Sequence, residues 1–341
     1  MNHTNHNFIL GIWLMFCAAV VFIMVVVGGV TRLTQSGLSM VEWAPLMGIL
    51  PPIGEQQWLA VFEKYKAYPE YQLVNAGMSL DDFKSIFWWE YGHRVLGRFI
   101  GLIYLIPLLY FVFKGIVQKR WYAKLFFLFI LGGLQGLMGW YMVKSGLVDV
   151  PHVSQYRLTA HLGLAIIIFA FMFWYALDFL RTDSKSNHAS GAYRRATLMT
   201  CIVVFIMILS GGFVAGTKAG FIMNTFPTMN GEWVPTGVMA MLPWWKNLFE
   251  NAVTIQFVHR CFALLVMLAV VFLVVKSQSE RFKTFTGWVL FAMILQITLG
   301  ISALLMKVPV VLGAAHQAGA VILLASCLHA MHVAHKSNRF D

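Results

Sequence analysis

The segment Glu90-Tyr91-Gly92-His93-Arg94, which leads into an apolar run at 95–117, decides how this chain is organised. It recurs as Gln256-Phe257-Val258-His259-Arg260 within a second apolar run at 252–275. Self-similar segments are the sequence signature of an architecture that is built from repeated units. We therefore predict that the chain consists of two related halves.

Three further pairs of segments match between the same two halves. They are Gly28-Gly29 with Gly211-Gly212, Leu134-Gln135 with Leu295-Gln296, and Ala160-His161 with Ala315-His316. Along the chain the offset between partners falls from 183 to 166, 161 and 155. Because each change falls between matching segments, the helices are expected to stay in step while the connecting loops differ in length.

Composition excludes a water-soluble surface, since 59% of the residues are hydrophobic and only 11% are charged. A helix needs about 20 apolar residues to cross a bilayer. Runs of this kind lie at 8–30, 95–117, 121–143, 157–180, 195–217, 252–275, 284–306 and 312–334. We predict an all-α integral membrane protein with eight transmembrane helices.

Basic residues predict the orientation of these helices. They are concentrated in three connections, at 114–124, 181–195 and 276–283. Because short cytoplasmic loops carry the excess of Lys and Arg, both termini are expected to face the cytoplasm. The net charge of +11 follows from this bias, so no nucleic-acid partner is indicated. The first seven residues contain no Lys or Arg, which favours a retained helix and a bacterial plasma (inner) membrane.

Four helices per half is an even number, so both halves are expected to enter the membrane in the same direction. The fold class is then two parallel-repeat four-helix bundles. The predicted division is an N-terminal half at 1–181, a cytoplasmic linker at 182–194 and a C-terminal half at 195–341.

Four histidines occupy repeated positions. His93 and His259 are expected at the first turn of their helices, and His161 and His316 about one turn into theirs, all at a similar depth on the non-cytoplasmic side. Bundles hold cofactors between facing helices, and imidazole is a common axial ligand of haem iron. One such histidine alone could equally be a packing residue. Their repetition favours a bis-histidine haem site in each half, His93 with His161 and His259 with His316.

The two halves differ at one chemically important position. Glu90 precedes His93 by three residues, and neutral Gln256 stands at the equivalent place before His259. A carboxylate beside a haem edge can bind a proton or stabilise developing positive charge, whereas an electron-carrying haem needs none. The alternative is an interfacial acid that pairs with Arg94 or Arg98.

The pattern of the remaining polar residues allows more than one role for each of them. Arg94 and Arg260 directly follow their histidines and would either neutralise haem propionates or anchor the helices at headgroup depth. His329, His332 and His335 share one stripe at the end of the last helix, where a solvated basic helix end is favoured over a metal site. The role of His152, in an outer loop, stays open.

The chain resembles the haem A synthases, the multi-pass enzymes of the CtaA and Cox15 family. The matching segments span nearly the whole chain, and Glu-x-x-His-Arg together with the glycine-rich outer loop is highly specific. They are Gly28-Gly29-Val30-Thr31-Arg32-Leu33-Thr34, Ser36-Gly37-Leu38-Ser39-Met40, Glu42-Trp43, Pro51-Pro52, Glu90-Tyr91-Gly92-His93-Arg94-Val95-Leu96-Gly97-Arg98, and the paired His161 and His316.

This resemblance implies oxidation of the C8 methyl group of haem O to a formyl group by successive hydroxylations, which supplies haem A to cytochrome oxidases. In the family the N-terminal half receives the substrate haem, which maps to His93 and His161. The C-terminal half holds a resident haem b, which maps to His259 and His316. Glu90 matches the family's essential glutamate.

The resemblance also bears on partners. It implies haem O as the substrate, and it leaves the electron donor unidentified. The haem O synthase and cytochrome oxidase assembly factors are possible protein partners, and membrane lipid surrounds the chain. The resemblance is also compatible with a homo-oligomer. Some bacterial members carry a cysteine pair in the first outer loop, and residues 31–92 contain no cysteine. The chain is therefore closer to the Cox15-like branch.

Two other functions are considered. One is a di-haem b electron-transfer cytochrome linked to quinol, in which both haems are permanent; the difference between Glu90 and Gln256 argues against such symmetry. The other is a transporter, but transporters usually contain broken helices with polar residues at the bilayer midplane, and here the charges cluster toward one face.

Overall fold

A computed structural model describes residues 3–42, 50–146, 151–180, 189–277 and 280–336. Trp43 of the outer-loop motif and residues 182–188 of the predicted linker lie outside these ranges. The described part of the chain is helical apart from its connections, with one isolated β-bridge between Met229 and Glu232. The all-α fold class is therefore confirmed.

Eleven α-helices are present in the described residues. They are α1 (His3–Leu33), α2 (Glu55–Lys66), α3 (Pro69–Leu73), α4 (Leu80–Phe113), α5 (Lys119–Gly146), α6 (Gln155–Leu180), α7 (Gly191–Gly216), α8 (Asn247–Glu250), α9 (Ala252–Lys276), α10 (Glu280–Leu305) and α11 (Val310–Lys336). Within the same residues eight of them, α1, α4 to α7 and α9 to α11, are long and apolar enough to cross a membrane. This confirms the prediction of eight such helices in a multi-pass membrane protein.

The spanning helices pack in two closed rings. In the first ring α1, α4, α5 and α6 each contact their two neighbours, and in the second α7, α9, α10 and α11 do the same. The two rings meet along α1, α6, α7 and α11. Across the described residues the diagonal pairs, α4 with α6 and α9 with α11, make at most marginal contact. Each ring therefore leaves its interior open to groups from its diagonal helices.

Helix α4 begins well before the apolar run that predicted it. Ser79 caps it by accepting a hydrogen bond from the Asp82 backbone N–H at 3.2 Å, and Asp82 also complements the helix dipole. His93 consequently lies about 20 Å along α4, and His259 about 10 Å along α9. The prediction that these two histidines lie in the first turn is wrong, because α4 begins 15 residues before the apolar run at 95–117 and α9 begins at Ala252, seven residues before His259. His161 and His316 lie between one and two turns into α6 and α11.

The early start of α4 supports a small layer outside the predicted span. Helix α2 packs against the first turns of α4 and α3 packs against α2, in a connection that carried no helix prediction. The layer is held by a cluster of buried aromatic side chains, which are Trp58, Phe62, Tyr65, Phe83 and Phe87. Burial of such rings is the main stabilising term for a unit of this size. The layer therefore covers the first turns of α4.

The far end of α11 differs from its prediction. His332 is fully buried, and its Nε2 lies 2.9 Å from Oδ1 of Asp178 on α6. The interpretation of this stripe as a solvated helix end is therefore wrong for His332, because α6 packs a carboxylate and the Trp174 ring against it. Within the described residues no group of three or more His, Cys, Asp or Glu side chains could hold a metal ion. His152 is exposed.

Candidate functional site

The four repeated histidines meet in two pairs. His93 on α4 and His161 on α6 come from diagonal helices of the first ring and lie close enough to interact electrostatically. His259 on α9 and His316 on α11 do the same in the second ring. The fold thus brings together the two pairs that the repeat predicted. Each pair lies where its diagonal helices leave space.

A glycine on the preceding spanning helix faces each histidine ring. A methyl group would lie 3.2 Å from His93 Nε2 at Gly28, 3.1 Å from His161 Cε1 at Gly139, 3.4 Å from His259 Cε1 at Gly211 and 2.7 Å from His316 Cε1 at Gly300. Three of these separations are shorter than ordinary van der Waals contact. The glycines therefore fix how closely each ring approaches the neighbouring helix, and hence where it can place its nitrogens.

Replacement of Gly300 by alanine is expected to displace the His316 ring, since the new methyl group would lie only 2.7 Å from its Cε1. Groups that orient a ligand typically change metal affinity by 10- to 100-fold, so we expect haem affinity at this site to fall by about tenfold. Haem content of the purified variant measures this. Gly287→Ala on the same helix is the control, because nothing lies within 4 Å of its added methyl group. Equal haem contents in the two variants would contradict the prediction.

Polar side chains that were not predicted as site residues contact three of the histidines. The Ser210 hydroxyl lies 2.7 Å from His259 Nδ1. Gln135 Nε2 lies 3.4 Å from His161 Nε2 and donates to the His161 carbonyl at 3.1 Å, and Gln296 Nε2 lies 3.5 Å from His316 Nε2. The two glutamines are markers of the repeat, so a signal for them was present. Ser210 has no counterpart in the first half, where Val27 stands.

The residues present fit a haem between each pair. Four buried polar atoms have no hydrogen-bond partner at these sites, and they fall at equivalent positions: His161 Nδ1 and Gln135 Oε1 in the first half, His316 Nδ1 and Gln296 Oε1 in the second. A buried polar atom without a partner costs about 1–3 kcal/mol. Both sites carry this unfavourable free energy at equivalent atoms, which indicates that a bound ligand contacts these atoms. Paired imidazoles are the donor set that haem iron takes in bis-histidine sites.

Glu90 lies on α4, three residues before His93, and is buried, with 2% of its surface exposed. Its Oε2 accepts hydrogen bonds from the Ser39 hydroxyl at 2.7 Å and from the Met40 backbone N–H at 2.8 Å. Its Oε1 pairs with Arg94 at 2.5 Å. The predicted helical geometry does extend to Glu90, so it shares a face of α4 with His93. The alternative, an interfacial acid that pairs with Arg94 or Arg98, is right about the pairing with Arg94 and wrong about a surface position, because the carboxylate is buried.

The second half repeats this arrangement without the charge. Gln256 is also buried, and its amide donates to the Met223 carbonyl at 3.0 Å. Met223 stands 183 residues after Met40, the same offset that relates the glycine pairs. The loop in each half therefore packs against the same position of the following helix. Only the first half places a carboxylate there.

Both arginines bind these loops. Arg94 donates to the carbonyls of Met40 at 2.8 Å and Glu42 at 3.2 Å. Arg260 donates to the carbonyls of Met223 at 3.1 Å and Thr225 at 3.0 Å. The acceptors are again related by the offset of 183. These contacts tie each loop to the helix that follows it, a role that was not predicted; neutralisation of haem propionates and anchoring at headgroup depth stay predictions.

A second carboxylate lies near Glu90. Glu70 on α3 is 6% exposed, and its Oε2 accepts a hydrogen bond from the Tyr65 hydroxyl at 3.2 Å. Burial raises the pKa of the Glu70 carboxyl to about 7, and the Glu90 carboxylate adds to the rise, while Tyr65 and Lys218 oppose it. No sequence pattern pointed to this residue, because its burial depends on the packing of α2 and α3.

The stability of the protein is expected to fall as the pH rises through the titration of Glu70. Unfolded glutamate loses its proton near pH 4.5 and folded Glu70 near pH 7, so the folded state holds more protons between these values. The shift corresponds to up to about 3 kcal/mol of unfolding free energy. Glu70→Gln should remove this loss, which thermal unfolding between pH 4.5 and 8 measures. An unchanged pH dependence in Glu70→Gln would contradict it.

Comparisons with known proteins agree with this geometry. Residues 11–328 match the family model COX15-CtaA, described as cytochrome oxidase assembly protein. The heme A synthase of Nitrosospira multiformis is 52% identical over 95% of this chain and 92% of its own length. The heme A synthase of Parvibaculum lavamentivorans is 47% identical over 96% and 94%, and that of Wolbachia pipientis 43% identical over 93% and 90%.

Eight helices that are long and apolar enough to span a bilayer, counted in the described residues, define a multi-pass membrane protein. The chain belongs to the COX15-CtaA family. The resemblance found in its sequence motifs is therefore confirmed.

Proposed function

We propose that this protein is a haem A synthase, which oxidises the C8 methyl group of haem O to a formyl group by successive hydroxylations and loss of water from a geminal diol. One observation carries the proposal: two equivalent histidine pairs lie in the two rings, and only the first has a buried carboxylate beside it. The similarity to heme A synthases over nearly the whole chain supports it.

The first half is the substrate site in this proposal, with His93 and His161 as ligands of the substrate iron. The second half holds a resident haem b between His259 and His316. Ser210 supports this division, because its hydroxyl fixes the orientation of His259. Such a hydrogen bond suits a permanent ligand. Val27 at the equivalent place leaves His93 without a hydroxyl partner there, which suits a haem that enters and leaves.

Glu90 is the catalytic residue of this proposal, because it is the charged group that the first site has and the second lacks. It either takes up the proton released at the substrate carbon or stabilises positive charge that develops there. Arg94 and the outer loop hold the carboxylate, and the aromatic layer of α2 and α3 excludes water from it. Haem b, when bound by the second pair, supplies one-electron redox chemistry.

The finer topology is also proposed. The N-terminal half at 1–181 and the C-terminal half at 195–341 are parallel repeats joined by the 182–194 linker, with both termini in the cytoplasm and the bundle in a bacterial inner membrane. The parallel repeat is supported by contacts whose acceptors recur at one offset: Met40 and Met223, and Glu42 and Thr225, each accept from the equivalent arginine. The orientation is supported by the concentration of basic residues in three connections. The electron donor and any contact with the haem O synthase or with assembly factors belong to the same proposal.

Haem extraction and chromatography test the function. Protein purified from cells with a haem O source is expected to contain haem b together with haem A or hydroxylated haem O. Protein from cells without that source should contain haem b alone. Two haem b per chain, unaffected by the haem O source, would instead favour a di-haem electron-transfer cytochrome.

A further inference from the structure

Ser39 is a buried serine of the first outer loop, with none of its surface exposed. Its hydroxyl lies 2.7 Å from Glu90 Oε2, 3.0 Å from the Ser36 carbonyl and 3.5 Å from the Ile86 carbonyl. The contact with Glu90 is the shortest of these three hydrogen bonds. A charged acceptor gives the strongest hydrogen bond of such a set. The hydroxyl is therefore directed at the carboxylate.

Comparison of the two halves shows which contacts of Glu90 are particular to it. Arg94 stands at the position of Arg260 and Met40 at that of Met223, where Arg260 and Gln256 both donate to the Met223 carbonyl. The position of Ser39 is occupied by Ile222 in the second half, 183 residues later. The serine hydroxyl and the carboxylate are thus present together in the first half and absent together from the second.

The chemistry of the three donors to Glu90 also differs. A guanidinium and a backbone N–H can only donate hydrogen bonds, whereas a hydroxyl can donate to a carboxylate and accept from a carboxylic acid. Of the three, Ser39 alone can both donate to the Glu90 carboxylate and accept the O–H of the carboxylic acid when Glu90 takes up a proton. A residue with this property holds the orientation of the side chain in both protonation states.

We propose that Ser39 is a positioning residue for Glu90: its hydroxyl holds Oε2 in place beside the substrate through both protonation states of the carboxyl group. The proposal rests on the proposed function, in which Glu90 acts on the substrate haem. Ser39 itself does not touch the reacting carbon in this account. Its effect is transmitted entirely through the orientation of Glu90.

The test compares Ser39→Ala, Ser39→Thr and the matched control Ser36→Ala. Ser36 is equally buried in the same loop, and its hydroxyl contacts Thr34 rather than Glu90. Loss of a hydrogen bond to a charged group corresponds to about 10- to 100-fold in rate. Ser39→Ala should therefore bind haem O and retain haem b like the wild type, convert haem O at least about tenfold more slowly, and accumulate unconverted haem O. Ser39→Thr should restore conversion, and Ser36→Ala should match the wild type.

A second measurement does not depend on activity. The infrared carboxyl band of Glu90, identified by its loss in Glu90→Gln, should shift in Ser39→Ala and stay in place in Ser36→Ala. An unshifted band, conversion by Ser39→Ala equal to that of Ser36→Ala, or a failure of Ser39→Thr to restore conversion would overturn the proposal. If the wild type makes no haem A while the band shifts, the proposed function fails and the positioning of Glu90 by Ser39 stands.

Discussion

Glu90→Gln is expected to bind haem O and leave it unconverted, with a rate at least about 10²-fold below that of the wild type. Glutamine is the residue that the second half carries at this position, as Gln256, so the variant makes the first site resemble its repeat. Its amide can neither take up a proton nor stabilise a cation as a carboxylate does. Glutamine has nearly the same size as glutamate, and its amide oxygen can still accept the hydrogen bonds that one carboxylate oxygen of Glu90 accepts. The helix and the loop should therefore remain folded.

Chromatography of the extracted haems measures this result, with the wild type and Glu70→Gln prepared in parallel. Glu70→Gln also replaces a buried carboxyl group of the outer layer, but one on α3 rather than on the helix of His93. It should still convert haem O. Conversion by Glu90→Gln at the wild-type rate would contradict a catalytic role for Glu90. The residue would then serve only to bind the loop at Ser39 and Met40.

The second large effect concerns the histidine pairs. His316→Ala should purify without haem b and still bind haem O, whereas His161→Ala should retain haem b and no longer bind haem O. Each change removes one of the two axial ligands of one site, and the sites lie in separate rings of helices. The variants are therefore expected to act independently.

Visible absorption spectra and the ratio of haem to protein measure both outcomes. His335→Ala is the control, since His335 lies at the opposite end of α11 from His316 and contacts the Met331 carbonyl of its own helix. It should keep the full haem content. If His161→Ala lost haem b, or if both variants lost half of each haem, the assignment of one haem type to each half would fail.

Much of the fold could be predicted because apolar length is a local property. All eight spans follow from runs of about 20 apolar residues, and no packing information is needed to find them. The start of α4 could not be found in the same way. Its first turns are capped by Ser79 and stabilised by Phe83 and Phe87 against α2, a contact between segments that are distant in the sequence.

The histidine pairs were also predictable, since a repeat records equivalent positions whatever the distance between them. The partners of those histidines were not. Ser210 is one serine in an apolar helix, and only the packing of α7 against α9 places it on His259 Nδ1. His332 shows the opposite error, because a stripe of histidines at a helix end has the pattern of a solvated surface until α6 buries it beside Asp178.

By itself, therefore, the sequence determined the membrane environment, the eight helices, the repeat, the four histidines and the difference between Glu90 and Gln256. These are properties of single residues and of local periodicity. Only the tertiary structure decided that Ser39 and Met40 bind Glu90, that Arg94 and Arg260 bind loop carbonyls, and that Glu70 is buried. The physical reason is that each of these contacts joins segments whose approach depends on how the loops fold back over the helix ends.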